Sequence, residues 1–283
     1  MSSLVWKQFP VLLRRELNEN RNLFIVAPVA LAALSMAVML WILVRFDSAM
    51  IAEGVNGLAT LFEGLGAGEI APFVVYASIP YMVMLLICAI TYLVNALYQD
   101  RKDNSILFWQ SMPVSNASTV TSKLVSIALV APAIYALSLL AIYLFCLTCL
   151  AVLGVSYDAE LVGLGTLFGA VLIGVVLFYF SCVTAAMWML PTIGWLLLFS
   201  AFARRTPLLW AIGIFILLGL IEDVVFRTQF LANWVESRSG PGQYLISSLA
   251  DIPGRWFSYE MLFGLVVGSI LLYGAILMRR FID

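Results

Sequence analysis

Apolar runs with few or no charges recur along the chain at about the length a bilayer core demands, roughly 20 residues in a helix. They cover Leu23 to Val44, Pro72 to Tyr98, Leu124 to Val155, Leu208 to Phe226 and Phe257 to Met278. A sixth run, Leu161 to Ala203, holds 43 residues, too many for one straight crossing. It resolves either into two crossings, or into one crossing followed by a kinked or interfacial segment that begins near Pro191. No polar loop is present to turn an extra hairpin, which favours one crossing. The pattern therefore predicts an all-α integral membrane protein, a single transmembrane domain over 1–283 with six transmembrane helices. They fall at 22–44, 71–98, 124–155, 161–190, 207–226 and 257–278, with the kinked or interfacial stretch at 191–206.

The sign of charge along the chain orients this layout. With six spans, one side collects Lys7, Arg14, Arg15, Arg21, Arg101, Lys102, Lys123, Arg204, Arg205, Arg279 and Arg280. That is 11 of the 15 basic residues, and it leaves Arg45, Arg227, Arg238 and Arg255 opposite. The positive-inside rule makes the richer side cytoplasmic, so both termini are expected there, in an inner (plasma) membrane. Composition agrees with the hydrophobic pattern: 63% of the 283 residues are hydrophobic and only 11% charged, with a mean hydropathy of +1.04. The net charge of −1 offers no basic stripe for nucleic acid.

Ahead of the first span, Val5, Trp6, Phe9, Leu12, Leu13 and Leu17 recur at helical spacing, with Lys7, Arg14 and Asn18 on another face. An amphipathic interfacial helix at 1–21 follows from that spacing, although Pro10 restricts it to a start or a kink. The apolar run behind it has full spanning length, unlike the short core of a cleaved signal peptide. Two external stretches read as interfacial. The 45–70 segment carries Ile51, Val55, Leu58, Phe62 and Leu65 as a helical stripe, and the 227–256 segment carries Trp234, Tyr244 and two prolines.

Few groups offer chemistry. Histidine is absent, which removes the commonest general base and a common metal ligand, and no acid–base or metal constellation for a membrane enzyme is visible. Cys146 and Cys149 spell C-x-x-C, but they lie inside an apolar run and read as small packing residues. Glu63 to Glu69, "EGLGAGE", lacks the lysine and the preceding strand of a phosphate loop and reads as a flexible turn. None of the three lysines follows a glycine, so a Walker A motif is absent from this chain. Gly165–Gly169 and Gly264–Gly268 have the spacing of close helix approach, read as packing within the chain. Thr91 and Asn95 are expected to hydrogen-bond between helices.

Glu222 and Asp223 follow an apolar run of only 14 residues, Leu208 to Ile221, so the fifth helix must run through both to cross the core. The pair reads either as a helix end reaching outer water or as an outer gate that handles a cation. The remaining polar island is "DRKDNSILFWQSMPVSNASTVTSK", Asp100 to Lys123. Asp100 and Asp103 suit a helix N-terminus, Pro113 interrupts the helix, and Ser115 or Asn116 caps the next one. Ile106, Leu107, Phe108 and Trp109 form an apolar knob on this loop. Such a knob requires a cover, either headgroups or another protein.

That island resembles the cytoplasmic loop of permease subunits of the ATP-binding-cassette type-2 exporter family, whose members carry a D-R-K-D-x-S-I-L-F-W-x-S-M-P-V-S pattern before the third span. Trp188 to Ala211, "WMLPTIGWLLLFSAFARRTPLLWA", is similar to the family's stretch around its fourth and fifth spans. The resemblance implies a non-catalytic half-transporter for an amphipathic or lipid-linked solute. It pairs with a second permease subunit, a like or sister chain, and is energised by two separate ATPase subunits that hold the ATP and Mg. No cofactor is expected on this chain. The resemblance also makes Arg101 to Met112, within the 100–123 cytoplasmic coupling loop, a coupling helix between spans 2 and 3. Phe108 and Trp109 are then its tip, Ile106, Leu107 and Met112 share its apolar side, and Arg101, Lys102 and Asp103 form its polar rim. The N-terminal helix becomes a connecting helix, and 227–256 contains an external re-entrant hairpin beside Glu222 and Asp223. Two other classes keep the same residues: an ion-coupled carrier using Glu222 and Asp223, and a scaffold subunit that does not transport.

Overall fold

A computed structural model describes residues 2–102, 115–156 and 163–279 of the chain, without the side chains of residues 2–7 and Pro241. The loop residues Asp103, Ile106, Leu107, Phe108, Trp109 and Met112 lie outside the described residues. What is described is helix and connecting turn, with no strand. Six helices among the described residues are long and apolar enough to cross a membrane: Asn22–Arg45, Ile79–Lys102, Asn116–Ser156, Leu164–Trp188, Pro207–Phe226 and Tyr259–Met278.

The helix α1 (Ser2–Glu19) runs through Pro10 and turns at Asn20 into the first span. Leu12 and Glu16 face inward, while Arg14 and Asn18 are exposed as the spacing requires. A wide π-helical turn, Asn22–Val26, precedes α2 (Ala27–Arg45), and a second, Ser126–Val130, joins α7 (below) to the third span. Each ends two residues before a proline, Pro28 and Pro132. A proline ring collides with the carbonyl four residues back, and widening that turn relieves the collision.

On the far side from the basic residues, α3 (Ser48–Leu61) leads to α4 (Ala67–Ala77). The glycine turn before α4 builds its cap, since Gly66 N–H donates to Glu69 Oε2 at 2.8 Å and Gly64 takes a positive φ of 73°. Ser78 then breaks the helix ahead of α5 (Ile79–Ala96) and the short α6 (Tyr98–Lys102). The third span is α7 (Asn116–Val125), the π turn and α8 (Ala131–Ser156), in all 41 residues or roughly 60 Å of helix, about twice a bilayer core. Ser115 caps its start, its Oγ accepting from Ser118 N at 3.1 Å. The fourth span is α9 (Leu164–Trp188), followed across a break at Met189 by α10 (Leu190–Phe202). Within the 191–206 stretch, Ile193, Leu196, Leu197 and Phe199 of α10 are buried against the bundle. This helix packs along α5 and the last helix, α14 (Tyr259–Met278), and beside α11 (Pro207–Ile221).

The Gly264–Gly268 pair works inside the chain: a Cβ on Gly268 would lie 2.7 Å from the Leu190 backbone, so close helix approach requires glycine there. In the other pair a Cβ on Gly169 would press on Ala67 at 3.3 Å, while one on Gly165 would meet nothing within 4 Å. Thr91 and Asn95 depart from expectation: Thr91 Oγ1 donates to Ile87 O at 2.8 Å and Asn95 Nδ2 to Thr91 O at 2.9 Å, and both residues are exposed. A short polar side chain in a helix reaches its own carbonyl four residues back more readily than a neighbouring helix.

Beyond α11, the chain folds back as α12 (Phe230–Ser239) and α13 (Asp251–Trp256), and this segment is sewn into the bundle. Ile246 N donates to Ser181 Oγ at 2.9 Å, Trp256 Nε1 to Thr184 Oγ1 at 2.8 Å, and Trp188 Nε1 to Arg238 O at 3.0 Å. The Arg238 guanidinium lies 4.4 Å from the Trp188 ring centroid and 5.3 Å from that of Trp234. It donates to Trp188 O at 2.5 Å and Glu260 O at 3.1 Å. Trp188 ends α9, so its carbonyl has lost its helical partner and a cation is the natural substitute. Gly264 leaves the room: a Cβ there would collide with the guanidinium. Gly264→Ala is therefore expected to displace Arg238 and lower thermal stability about as much as Arg238→Ala. The double variant should lose little more than either single, a non-additivity that thermal unfolding in detergent measures.

Candidate functional site: a buried ion network at the stems of the loop

Glu16, Asp100, Lys123 and Arg279 come from α1, α6, α7 and the end of α14, and each is less than a tenth exposed. Lys123 Nζ is the hub, 3.0 Å from Glu16 Oε1 and 3.7 Å from Asp100 Oδ2. Arg279 Nη1 lies 3.4 Å from Asp100 Oδ2, and Arg15 Nη2 lies 3.8 Å from Asp100 Oδ1 while its Nε holds Glu19 at 2.6 Å. Tyr92 OH donates to Glu16 Oε2 at 2.7 Å, and the Tyr92 ring packs on Phe24 with centroids 5.0 Å apart. Among the described residues three cations and three carboxylates balance. Burial lowers the pKa of the Arg279 guanidinium, and the Asp100 carboxylate opposes that shift, so the side chain stays a cation.

A second clasp sits beside it. The α5 helix ends at Ala96, and the freed N–H groups of Leu97 and Tyr98 both donate to Ser200 Oγ at 3.0 Å. Arg101 Nη2 in turn donates to Ser200 O at 2.7 Å and Ala203 O at 2.8 Å, the orphan carbonyls at the end of α10. Asp100 and Arg101 immediately precede the loop and Lys123 closes it. The two stems are thus tied to the ends of α1, α10 and α14.

These contacts change the reading of several residues. Asp100 lies in the first turn of α6, as expected, and is also buried between Lys123 and Arg279. Arg101 is half-buried and serves α10, whereas Lys102 is exposed. Glu222 and Asp223 lie in a π-helical turn, Glu222–Phe226, at the end of α11. The Glu222 carboxylate caps α12, accepting from Phe230 N at 2.5 Å, Leu231 N at 2.9 Å and Thr228 Oγ1 at 2.9 Å. Both of its oxygens are occupied by these donors.

Sequence reasoning passed over Glu16, Lys123, Arg279, Tyr92 and Ser200 as site residues. One local signal marks Glu16: it follows Leu12 by four residues, an acid on the apolar stripe of an amphipathic helix. Asp100 and Arg279 are 179 residues apart, and nothing near either reveals the other. No family model, no curated protein and no solved structure matches this chain.

Lys123→Met is expected to cost about 3–5 kcal/mol of stability, because it leaves two buried carboxylates short of a cation. Adding Glu16→Gln removes one of those carboxylates and should restore part of the loss. Thermal unfolding of the detergent-solubilised chain reads both effects. A double variant no more stable than Lys123→Met alone would overturn this account of the hub.

Proposed function

We propose that the chain is the permease subunit of an ATP-driven exporter of the ATP-binding-cassette type-2 kind, moving an amphipathic or lipid-linked solute outward. The observation that carries this reading is the anchoring of both loop stems. A loop meant only to connect two spans needs no such attachment, whereas a loop that receives force needs rigid roots. Asp100 and Lys123 join the loop to α1 and α14 through the ion network, and Arg101 joins it to α10 through Ser200 and Ala203. A push on the loop therefore reaches three further elements without passing through a flexible hinge.

In this reading, the basic end faces the cytoplasm of a cell whose inner (plasma) membrane holds the protein, and both termini lie there. Two ATPase subunits bind ATP and Mg and grip Phe108 and Trp109, with Ile106, Leu107 and Met112 completing the apolar contact and Lys102 and Asp103 the rim. Burial of the apolar knob contributes roughly 1.5–3 kcal/mol per large side chain before ordering costs. A second permease subunit meets the inner end of α5, around Thr91 and Asn95. Thr91 and Asn95 support this, since amide and hydroxyl groups left against lipid tails are costly and tend to mark helix–helix contacts in membranes. Glu222 holds α12 at the outer end, and with Asp223 it borders the outer gate.

The double substitution Phe108→Ala and Trp109→Ala is expected to abolish co-purification with an ATPase encoded beside this chain, and to lose the ATPase stimulation that the permease provides. Undiminished association rejects the docking assignment. Cysteine accessibility adds the orientation: Phe108→Cys should react with an impermeant thiol reagent only in inside-out vesicles.

A further inference from the structure

A groove of about 330 Å³ runs between α5 and the fourth span, and neither the ion network nor the docking loop uses it. Its origin lies in the break at Met189. The α5 helix packs along α10, the lower half of the fourth span, while the upper half, α9, leans away above the break. Small residues keep the gap open: Ala89 faces Cys182, Ala185 and Ala186 across it. Its lining is almost wholly apolar. Val83, Leu86 and Ile90 form the exposed rim, Cys182, Leu93 and Ile193 the buried floor, and Tyr244 and Leu245 of the segment after α11 close the outer end.

Size and depth select the occupant. From Ile79 to Leu93 the groove follows roughly 21 Å of helix, within a span that crosses a core of about 30 Å. Hydrocarbon is the solvent at that depth. A partner helix about 10 Å across would displace roughly 1,600 Å³ over the same length, more than the empty space of about 1210 Å³ in the groove, part of which is open to the surroundings. One narrow chain fits where a helix does not. Of the polar lining residues, Ser181 and Tyr244 lie toward the outer half, and Thr192 follows the break at Met189. Ser181 is held by Ile246 N, which ties the outer end in place.

We propose that this groove binds a single hydrocarbon chain of a membrane amphiphile, entering sideways past Val83, Leu86 and Ile90 with its head toward Tyr244. Identifying that amphiphile with the exported solute rests on the function proposed above; the binding itself does not.

The test uses the full chain in phosphatidylcholine nanodiscs and a fatty acid that carries a diazirine midway along its chain, with labelled residues mapped by mass spectrometry. Labelling is expected at Leu86, Ala89 and Ala186. An excess of unlabelled fatty acid should reduce it by about tenfold, while labelling of Val266 and Ile270, on the open face of α14, falls much less. Ala186→Trp, which fills the groove, is expected to remove the groove labelling by a similar factor while leaving the α14 labelling unchanged. Equal, non-saturable labelling of the groove and α14 would mean bulk lipid only and overturn the proposal. Should Ala186→Trp not fold, the competition on the native sequence decides alone. Neither arm contains an ATPase, so a failed groove leaves the docking reading intact, and failed co-purification leaves the groove intact.

Discussion

Lys123, held between Glu16 and Asp100, is the contact on which the rest of the architecture depends. Buried ions cost several kcal/mol each to desolvate, and mutual attraction repays this only when every partner is present. Among the described residues three cations face three carboxylates, and Tyr92 supplies a further donor to Glu16. Such a network adds little net stability over an apolar plug of the same volume. What it does supply is register, because a helix slid by one turn would leave a charge unpaired. The register it sets is that of α1, α6, α7 and α14 around one loop.

Segmented spans form the second organising feature. The second span is broken at Ser78 and the fourth at Met189, and two further helices widen beside Pro28 and Pro132. Each break frees backbone groups that lipid cannot satisfy, so protein must do so. Ser78 shows the solution in small: its hydroxyl donates to or accepts from Tyr143 OH at 2.9 Å, and Tyr143 OH lies 3.0 Å from Val74 O. At Met189 the task falls to Arg238, brought from 50 residues away and flanked by two tryptophans. The same break opens the apolar groove. One local departure from helix therefore borders both the attachment of the segment after α11 and the groove between α5 and the fourth span.

The two ends of the bundle are stabilised by different physics. At the basic end, ionised groups are packed among one another and hold the loop stems rigidly. At the opposite end, single ions meet neutral partners: the Arg238 guanidinium binds the Trp188 and Glu260 carbonyls and the Trp188 ring, the Glu222 carboxylate caps α12, and neutral hydrogen bonds reach Ser181 and Thr184.

Spans, the cap at Ser115, the amphipathic first helix and the close-packed glycines were legible in the residues themselves. All of them follow from quantities local in sequence: hydropathy over about 20 residues, spacing of 3 or 4, a hydroxyl beside a helix start. That Ile193 and Leu197 are buried against the bundle was not legible, because a kinked and an interfacial stretch share one composition. Thr91 and Asn95 bond their own helix and not a neighbour, a choice set by which carbonyl is nearest in space. Glu16 meets Lys123 across 107 residues and Asp100 meets Arg279 across 179. The bilayer imposes its demand on each segment separately, so the sequence alone determined what crosses the membrane. Pairing of buried charges depends on which helix ends meet, and only the tertiary structure decided that.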